Sequence, residues 1–329
     1  MEFVDFSKVI RRSINPFRNE YSCREMRNAV MKLMKKKGEY PKWMQPLMLP
    51  AKFCYKGQYK QVYVYKNHAI AISKSPMELD KNLKFKFESV NTEFPNTLNY
   101  PLCTYEIGKY YVAKLRKCKT TLIDELIGGK LGYEDQMMRL GYALRSFHEK
   151  RIVVSDIKPD NILVCNGSLS FGDIDDVYDY DTNKGNLKIS RPYSLIPYWE
   201  EYGKGPNGKN LGKLSEDHLK FLDWYAFAYC VLVSCKTEGY SGTIMRYALN
   251  SQNLQLPFRM NLKEQIYKND ESIHKIVRQC CDWMLSSNGR YIDYKPMEDF
   301  FKPEVKQVPR LSIRTPSSLR TPRKYKLKL

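Results

Sequence analysis

The stretch from Asp156 to Asn161 holds the side chains in this sequence that are best suited to chemistry. It places a carboxylate at Asp156, an ammonium at Lys158 and an amide at Asn161. Phosphoryl transfer requires these three types, because a carboxylate accepts the hydroxyl proton, a cation stands near the phosphate, and oxygen atoms bind Mg²⁺. The stretch follows an apolar helical pattern and precedes the apolar run Ile162–Val164. A polar turn between a helix and a strand is the simpler alternative.

With its flanks, this stretch resembles the catalytic loop of protein kinases, HRDxKxxN, which here reads VSDIKPDN over Val154–Asn161. The resemblance implies that Asp156 accepts the hydroxyl proton, that Lys158 lies beside the transferring phosphate, and that Asn161 helps to bind Mg²⁺. Lysine two positions after the aspartate is usual in kinases that act on serine or threonine. Ser155 replaces an arginine that grips an activation-segment phosphate in many regulated kinases, which implies activity without that phosphate.

A second acidic position follows the loop at the distance that the family requires. Residues 166–167 are Asn-Gly, a turn signal, and Leu169 and Phe171 alternate as inward-facing strand residues, so the strand ends near Asp173. Asp173 is similar to the aspartate of the kinase motif DFG, which implies a second Mg²⁺ ligand. The alternative is a solvated acidic turn.

The nucleotide-covering hairpin of the kinase family, GxGxxGxV, has a weak counterpart in Tyr55–Val62. Only Gly57, an aromatic residue and Val62 remain of that motif, and a plain β-hairpin would have the same sequence. The resemblance implies that Gly57 and Val62 contact the nucleotide. Lys56 and Lys60 could supply charge directed at the phosphates in place of the lost glycines.

The family also has a lysine in the third strand that binds the nucleotide phosphates. Lys74 is the candidate, because Ile72 and Lys74 would share one strand face, and Lys66 is the main competitor. Its carboxylate partner should lie on the next helix, with Glu88 preferred and Glu93 in reserve. A surface lysine and an exposed helix glutamate are the alternatives.

Two further matches concern the scaffold. The run Asp223–Ala228 resembles the family motif DxWSxG, which implies that Asp223 braces the backbone of the catalytic loop. Arg290 is placed where family members pair an arginine with a glutamate below the activation segment, and Glu200 or Glu201 would be that partner.

The pattern of elements predicts an α+β protein with a bilobal, kinase-like fold: a small antiparallel-sheet N-lobe and a mainly helical C-lobe. The boundaries are a basic N-terminal extension over 1–45, the N-lobe over 46–116, the C-lobe over 117–303 and a disordered basic tail over 304–329. Hairpin turns are expected at Asn67 and Gly108. Helices are expected at about 23–37, 77–93, 221–235 and 272–285, together with one whose buried face is Tyr133, Met137, Leu140, Leu144 and Phe147.

Composition limits the cellular setting. The chain has 55 Lys+Arg against 36 Asp+Glu, a formal net charge of +19, which favours anionic partners. Nine cysteines without a zinc or disulfide spacing indicate reduced thiols in the cytoplasm or nucleus. The sequence has no secretory signal at its start and no apolar run of membrane-spanning length, so we expect a soluble protein.

The sequence therefore predicts a serine/threonine protein kinase that uses ATP and Mg²⁺. The altered motifs resemble those of divergent kinases of large DNA viruses, in which case the protein would act in a host cell. The partners would be acidic proteins or proteins docked by the basic tail, and the tail could also bind nucleic acid. A pseudokinase or binding scaffold and a small-molecule phosphotransferase are the alternatives. The sequence leaves the oligomeric state, the substrate and the activator open.

Overall fold

The computed structural model of the chain describes residues 24–56, 60–77, 79–172, 174, 177–185, 187–190, 193, 213–235, 274–286 and 293–303. These residues form a small antiparallel sheet with flanking helices, followed by a mainly helical part, so the predicted α+β class is confirmed. No described helix combines the length and apolarity that crossing a membrane requires.

The largest sheet among the described residues has five antiparallel strands in the order β1-β2-β3-β5-β4. In chain order they are β1 (Phe53–Lys56), β2 (Lys60–Val64), β3 (His68–Ser73), β4 (Cys103–Ile107) and β5 (Tyr110–Arg116). The predicted turns are confirmed, because Asn67 lies between β2 and β3 and Gly108 between β4 and β5. Gly108 has a φ of 62°, a left-handed conformation that glycine adopts without steric cost.

One face of this sheet is covered by the N-terminal helix α1 (Arg24–Lys37). Val30 and Met34 of α1 lie in one apolar cluster with Ile70 and Ile72 of β3. The guanidinium of Arg27, also on α1, donates hydrogen bonds to the carbonyls of residues 47 and 49, at 2.9 and 2.7 Å. The helix of the basic extension therefore shares its core with the sheet.

The opposite face of the sheet carries small apolar side chains. Ala71 of β3 and Ala113 of β5 are buried there with Met77, and Val62 of β2 packs against them while remaining partly exposed. Strand alternation explains the division, since neighbouring residues of β3 point to opposite faces. We call this surface the open face, because α1 covers the other one.

The second part of the described chain is built mainly from helices. They are α2 (Lys81–Glu93), α3 (Leu122–Ile127), α4 (Glu134–Glu149), α5 (Glu216–Ser234), α6 (Lys275–Ser286) and α7 (Lys295–Phe300). On α4, Met137, Leu140, Leu144 and Phe147 are fully buried, which confirms the predicted face. Tyr133 is half-buried at the N-cap of this helix.

Asp80 is the N-cap of helix α2, and its carboxylate accepts a hydrogen bond from the Leu83 amide at 2.8 Å. Phe87 of α2 packs edge-on against Phe147 of α4, with ring centroids 5.5 Å apart. Helix α5 is buried almost all round, as an apolar helix at the centre of a domain should be. These contacts hold α2 against the helical part.

Short strands connect the two parts. One three-stranded sheet contains β6 (Thr120–Thr121), β8 (Ile162–Cys165) and β9 (Ser168–Phe171). Another contains β7 (Ile152–Val153), β10 (Tyr178–Asp179) and β11 (Lys184–Gly185). The Lys119 amide donates to the Val164 carbonyl at 2.8 Å, so the chain leaving β5 is tied directly to β8.

Pairing of β6 with β8 also brings two cysteines together. Cys118 and Cys165 form a disulfide with Cα atoms 4.1 Å apart, and Cys54 is also disulfide-bonded. The prediction that the cysteines are all reduced thiols is therefore wrong for these residues. Cys118 and Cys165 are 47 residues apart in sequence and meet only through strand pairing, so no spacing pattern indicated the bond. The described free cysteines are Cys103, Cys230, Cys235, Cys280 and Cys281.

Candidate active site

The segment that carries Asp156 connects β7 to a 3₁₀ turn, Pro159–Asn161, that leads into β8. Ser155 and Asp156 both have positive φ angles, 62° and 39°. Residues other than glycine adopt this backbone conformation at a cost of about 1 kcal/mol or more each, so surrounding contacts must stabilise it. Such strain concentrates at functional sites.

Asp223 of α5 supplies those contacts. Its side chain is buried, with Oδ2 accepting from the Val154 amide at 2.7 Å and Oδ1 accepting from the Ser155 amide at 2.9 Å. A hydrogen bond from an amide to a buried carboxylate is charge-assisted and therefore strong. Asp223 therefore braces the backbone of residues 154 and 155, the contact that the resemblance implied.

His148, at the end of α4, completes this support. Its Nε2 lies 3.1 Å from Asp223 Oδ2, and its Nδ1 lies 3.4 Å from Glu298 Oε1 without hydrogen-bond alignment. Complete burial favours the neutral ring, but the carboxylates of Asp223 and Glu298 outweigh it and raise the pKa of His148 above its usual value. The two carboxylates on either side of the ring therefore favour its protonated form.

The Asp156 carboxylate is fixed from both sides. Lys158 Nζ lies 2.5 Å from Oδ2, and the Ser190 hydroxyl donates to Oδ1 at 2.5 Å. Lys158 Nζ also donates to Ser190 Oγ at 3.2 Å, which closes a three-membered polar cluster. The Asp156 side chain is 11% exposed and the Lys158 side chain 23%.

The segment that carries Ser190 is tied to the same loop through Lys188. The Asp156 amide donates to the Lys188 carbonyl at 3.0 Å, and Ser155 Oγ exchanges hydrogen bonds with the Lys188 carbonyl and amide, each at 2.7 Å. Sequence reasoning missed Ser190 and Lys188, which stand more than thirty residues beyond Asp156 in no recognised motif.

The Asn161 side chain is anchored through its amide nitrogen. Its Nδ2 donates to the Asp156 carbonyl at 3.0 Å and also approaches Asp156 Oδ2 at 3.3 Å. The amide nitrogen must be the group facing that carbonyl, because an oxygen there could not donate. Oδ1 is left without a hydrogen bond in the described part of the chain, and an amide oxygen is a ligand that Mg²⁺ accepts.

Asp173 itself lies outside the described residues. The hairpin that leads to it is described, with Ile162 paired to Phe171 and the Gly172 amide donating to the Asn161 carbonyl at 2.7 Å. The chain next to Asp173 is thus bonded to the residue that carries the free amide oxygen. Among the described residues no group of three His, Cys, Asp or Glu side chains could hold a metal ion.

The residues predicted to bind the nucleotide are not all brought together in the described part of the chain. Val62 lies on the open face of the sheet against Ala71 and Ala113, whereas Gly57 lies outside the described residues. Lys74 follows the end of β3, is exposed, and forms no ion pair with another described residue. The face that it was predicted to share with Ile72 is the face covered by α1, so strand alternation does not direct Lys74 to the open face.

The predicted Lys74–Glu88 pair is not formed. Glu88 is exposed on α2 and lies 4.0 Å from Lys84 on the same helix. The reserve candidate Glu93 accepts from Ser146 Oγ at 2.9 Å and lies 3.9 Å from Lys150. Both glutamates therefore have partners within the helical part and away from β3.

A different lysine anchors α2. Lys86 Nζ lies 2.7 Å from Asp179 Oδ1 and 2.7 Å from Asp181 Oδ2, and the Asp179 side chain is 1% exposed. Burial disfavours the Lys86 cation, but hydrogen bonds to the two carboxylates prevail and raise its pKa. Arg151 also pairs with Asp181, at 2.9 Å. No motif in the sequence indicated this network.

The remaining predicted positions, Arg290, Glu200, Glu201 and the tail over 304–329, lie outside the described residues. A scan of the chain against protein-family models and a search of curated proteins give no significant match.

Proposed function

We propose that the protein is an Mg²⁺-dependent kinase that transfers the γ-phosphoryl group of ATP to serine or threonine hydroxyls of proteins. The observation that carries this proposal is the cluster of Asp156, Lys158 and Ser190 beside the unengaged amide oxygen of Asn161. A carboxylate, an ammonium and an oxygen ligand within one short segment are the groups that phosphoryl transfer uses.

The architecture supports the same proposal. The five-stranded sheet with α1 would be the N-lobe, and the part from β6 onward would be a helical C-lobe, against which α2 packs. Residues 117–119 join them, and Arg116 at the end of β5 donates to the carbonyls of Asn96 and Leu98 at 3.1 and 3.0 Å. A nucleotide would bind between the open face of the sheet and the segment around Asn161.

In the proposed reaction, the substrate hydroxyl oxygen forms a bond to the γ-phosphorus as the bond from that phosphorus to the β,γ-bridging oxygen breaks. Asp156 orients the hydroxyl and receives its proton, and ADP leaves with the bridging oxygen. Since Asp156 Oδ1 and Oδ2 are already fixed by Ser190 and Lys158, little reorganisation precedes attack. Lys158 would neutralise charge on the transferring group.

Asn161 and Asp173 would bind Mg²⁺, which supplies positive charge that shields the nucleotide phosphates. The free Oδ1 of Asn161 fits that role, and the Gly172–Asn161 hydrogen bond keeps the chain next to Asp173 close to it. Asp223 acts on the chemistry only by positioning, because it holds the backbone of residues 154 and 155.

The basic composition favours acidic protein substrates. The net charge of +19 includes eight Lys/Arg and no acidic residue over 306–329. Docking through this tail would be electrostatic and would therefore weaken with salt. Binding of nucleic acid by the same tail remains the alternative partner class.

A pseudokinase or binding scaffold is the second candidate function. The observation in its favour is that Lys74 and Glu88 are not brought together, since an active kinase normally holds such a pair at the nucleotide. A scaffold of this kind would bind ATP or a protein and transfer no phosphate.

The test is incubation of the full chain with γ-labelled ATP and Mg²⁺, with casein as the acidic acceptor, followed by phosphoamino-acid analysis. We expect label on serine or threonine, a loss of at least about 100-fold in Asp156→Ala and Asp173→Ala, and no change in the exposed control Asp299→Asn. Equal, background labelling by the wild type and both variants would favour the pseudokinase.

A further inference from the structure

The register of β2 against β3 identifies a cation on the open face of the sheet. Val62 pairs with Ala71, and Lys60 pairs with Ser73. Residues directly opposite each other in an antiparallel pair project to the same face. Because Ala71 and Val62 line the open face, Ser73 and Lys60 belong to that face too.

The other residues of β2 support this assignment. Tyr63 lies in the apolar cluster under α1, and Gln61 accepts a hydrogen bond from the Tyr63 hydroxyl, so both occupy the covered face. Lys60 alternates with Gln61, is half-buried, and shares the face of Val62. At the level of the sheet where β3 carries a buried serine, the neighbouring strand therefore carries a lysine.

The open face leads to the proposed catalytic segment. β5, which contributes Ala113 to this face, ends at Arg116, whose guanidinium donates to Ser170 Oγ of β9 at 2.5 Å. β9 and β8 form the hairpin that begins at Asn161 and ends at Gly172. In the register, Arg116 pairs with His68 at one end of β3 and Lys60 pairs with Ser73 at the other. The phosphates of a flat ring lying on Ala71, Ala113 and Val62 would therefore reach Lys60 when they point away from Arg116.

We infer that Lys60 of β2, and not Lys74, is the lysine that contacts the nucleotide phosphates. Lys60 lies on the open face directly opposite Ser73, the last residue of β3. The inference rests on the proposed function and corrects its nucleotide site. An ammonium on a long flexible stem suits a phosphate ligand. Lys74, by contrast, lies beyond the end of β3 and follows the alternation of the covered face.

The test measures binding of Mg²⁺–ATP and of adenosine to the full chain by titration calorimetry. Lys60→Met removes the charge and keeps the stem, Lys74→Met is the matched control, and Lys60→Arg keeps the charge. We expect Lys60→Met to weaken ATP affinity about 10- to 100-fold with adenosine affinity unchanged, as loss of a charge-assisted contact should. Lys74→Met should stay within about twofold of the wild type, as expected for an exposed lysine.

A double variant that moves the lysine to the paired strand adds an independent readout. In Lys60→Met/Ser73→Lys the ammonium moves to the paired position on the same face, and we expect part of the ATP affinity to return. Melting temperatures show whether each variant is folded. If the double variant does not fold, the ATP affinities of Lys60→Met and Lys74→Met test the inference without it. The inference would be overturned if Lys74→Met lost ATP affinity and Lys60→Met kept it. It would also be overturned if Lys60→Met lost adenosine affinity and ATP affinity to the same extent.

The failure of the proposed function has a different signature. A wild type that binds neither ATP nor adenosine would contradict both the function and the role of Lys60. A wild type that binds ATP and transfers no phosphate would contradict the transfer reaction alone, and the affinities of the lysine variants would still decide the position of the phosphate-binding cation.

Discussion

The proposed catalytic segment and the sheet proposed to bind the nucleotide differ in how their candidate residues are held. Asp156, Lys158 and Asn161 come from one loop, and that loop is bonded to α5 through Asp223 and to the segment at Ser190. The sheet must combine residues from separate strands and a helix, and there the predicted Lys74–Glu88 pair does not form. Local spacing therefore determines the first site, whereas strand register determines the second.

Asp223→Ala should have the largest effect, because the whole catalytic segment depends on this side chain. The variant leaves the Val154 and Ser155 amides without this acceptor and leaves the buried His148 ring without its closest partner. We expect a loss of about 4 kcal/mol in the free energy of unfolding, measured by urea denaturation. Phosphate transfer should fall at least about 100-fold even where the variant is folded.

Asp217→Ala is the control on the same helix. Asp217 is exposed and accepts one hydrogen bond from the Tyr294 hydroxyl at 2.8 Å, so its loss should cost about 1 kcal/mol or less. Similar losses in Asp217→Ala and Asp223→Ala would show that the catalytic segment is no more firmly held than the protein surface, and the comparison would fail.

Lys86→Met tests the attachment of α2 to the helical part. Lys86 is the buried cation that anchors α2, and its removal leaves the carboxylate of Asp179 buried without its main partner. Breaking a buried pair from one side should cost about 3 kcal/mol in unfolding free energy. Lys84→Met on the same helix removes only an exposed pair with Glu88 and should cost about 0.5 kcal/mol or less. Equal effects of the two variants would mean that α2 is not anchored at Asp179.

The sequence predicted what depends on short-range pattern. The apolar face of α4 follows from periodicity, and Asp223 was identified through a motif that lies within α5, which begins at Glu216 and not at the predicted residue 221. Lys74 was chosen on strand alternation counted from Ile72, but the sequence does not show which face of β3 a helix covers. The Cys118–Cys165 bond and the contact of Ser190 with Asp156 join distant positions through tertiary packing, so no local signal existed for them.

His148→Gln tests the electrostatic support of the catalytic segment. The carboxylates of Asp223 and Glu298 raise the pKa of His148 above its usual 6.5 despite burial, so the folded state holds this proton more tightly than the unfolded state does. The stability that follows is complete below about pH 6.5 and is lost as the pH rises through the raised folded value. Urea denaturation should therefore show a larger gap between wild type and variant at about pH 5.5 than at about pH 8.5.

We expect the change in this gap to be about 1.5 kcal/mol, the low end for a hydrogen bond to a charged group. His274→Gln is the matched control, because His274 is partly exposed and lies 4.0 Å from an almost fully exposed Asp135. A gap that widens with rising pH would show that His148 is neutral in the folded protein, and its pairing with Asp223 would then not stabilise the catalytic segment.

Glu88→Gln should have the smallest effect and gives the sharpest test of the nucleotide side. Glu88 is exposed and meets only Lys84 among its ion-pair partners in the described chain, at 4.0 Å, so the variant should change unfolding free energy by less than about 0.5 kcal/mol. Phosphate transfer should also be unchanged, since Glu88 holds no cation of the open face. If transfer fell about 100-fold while stability stayed the same, Glu88 would have to move to a phosphate-binding lysine once ATP is bound. The nucleotide side would then be assembled by the substrate, whereas Asp223 and Ser190 hold the catalytic segment ready before ATP arrives.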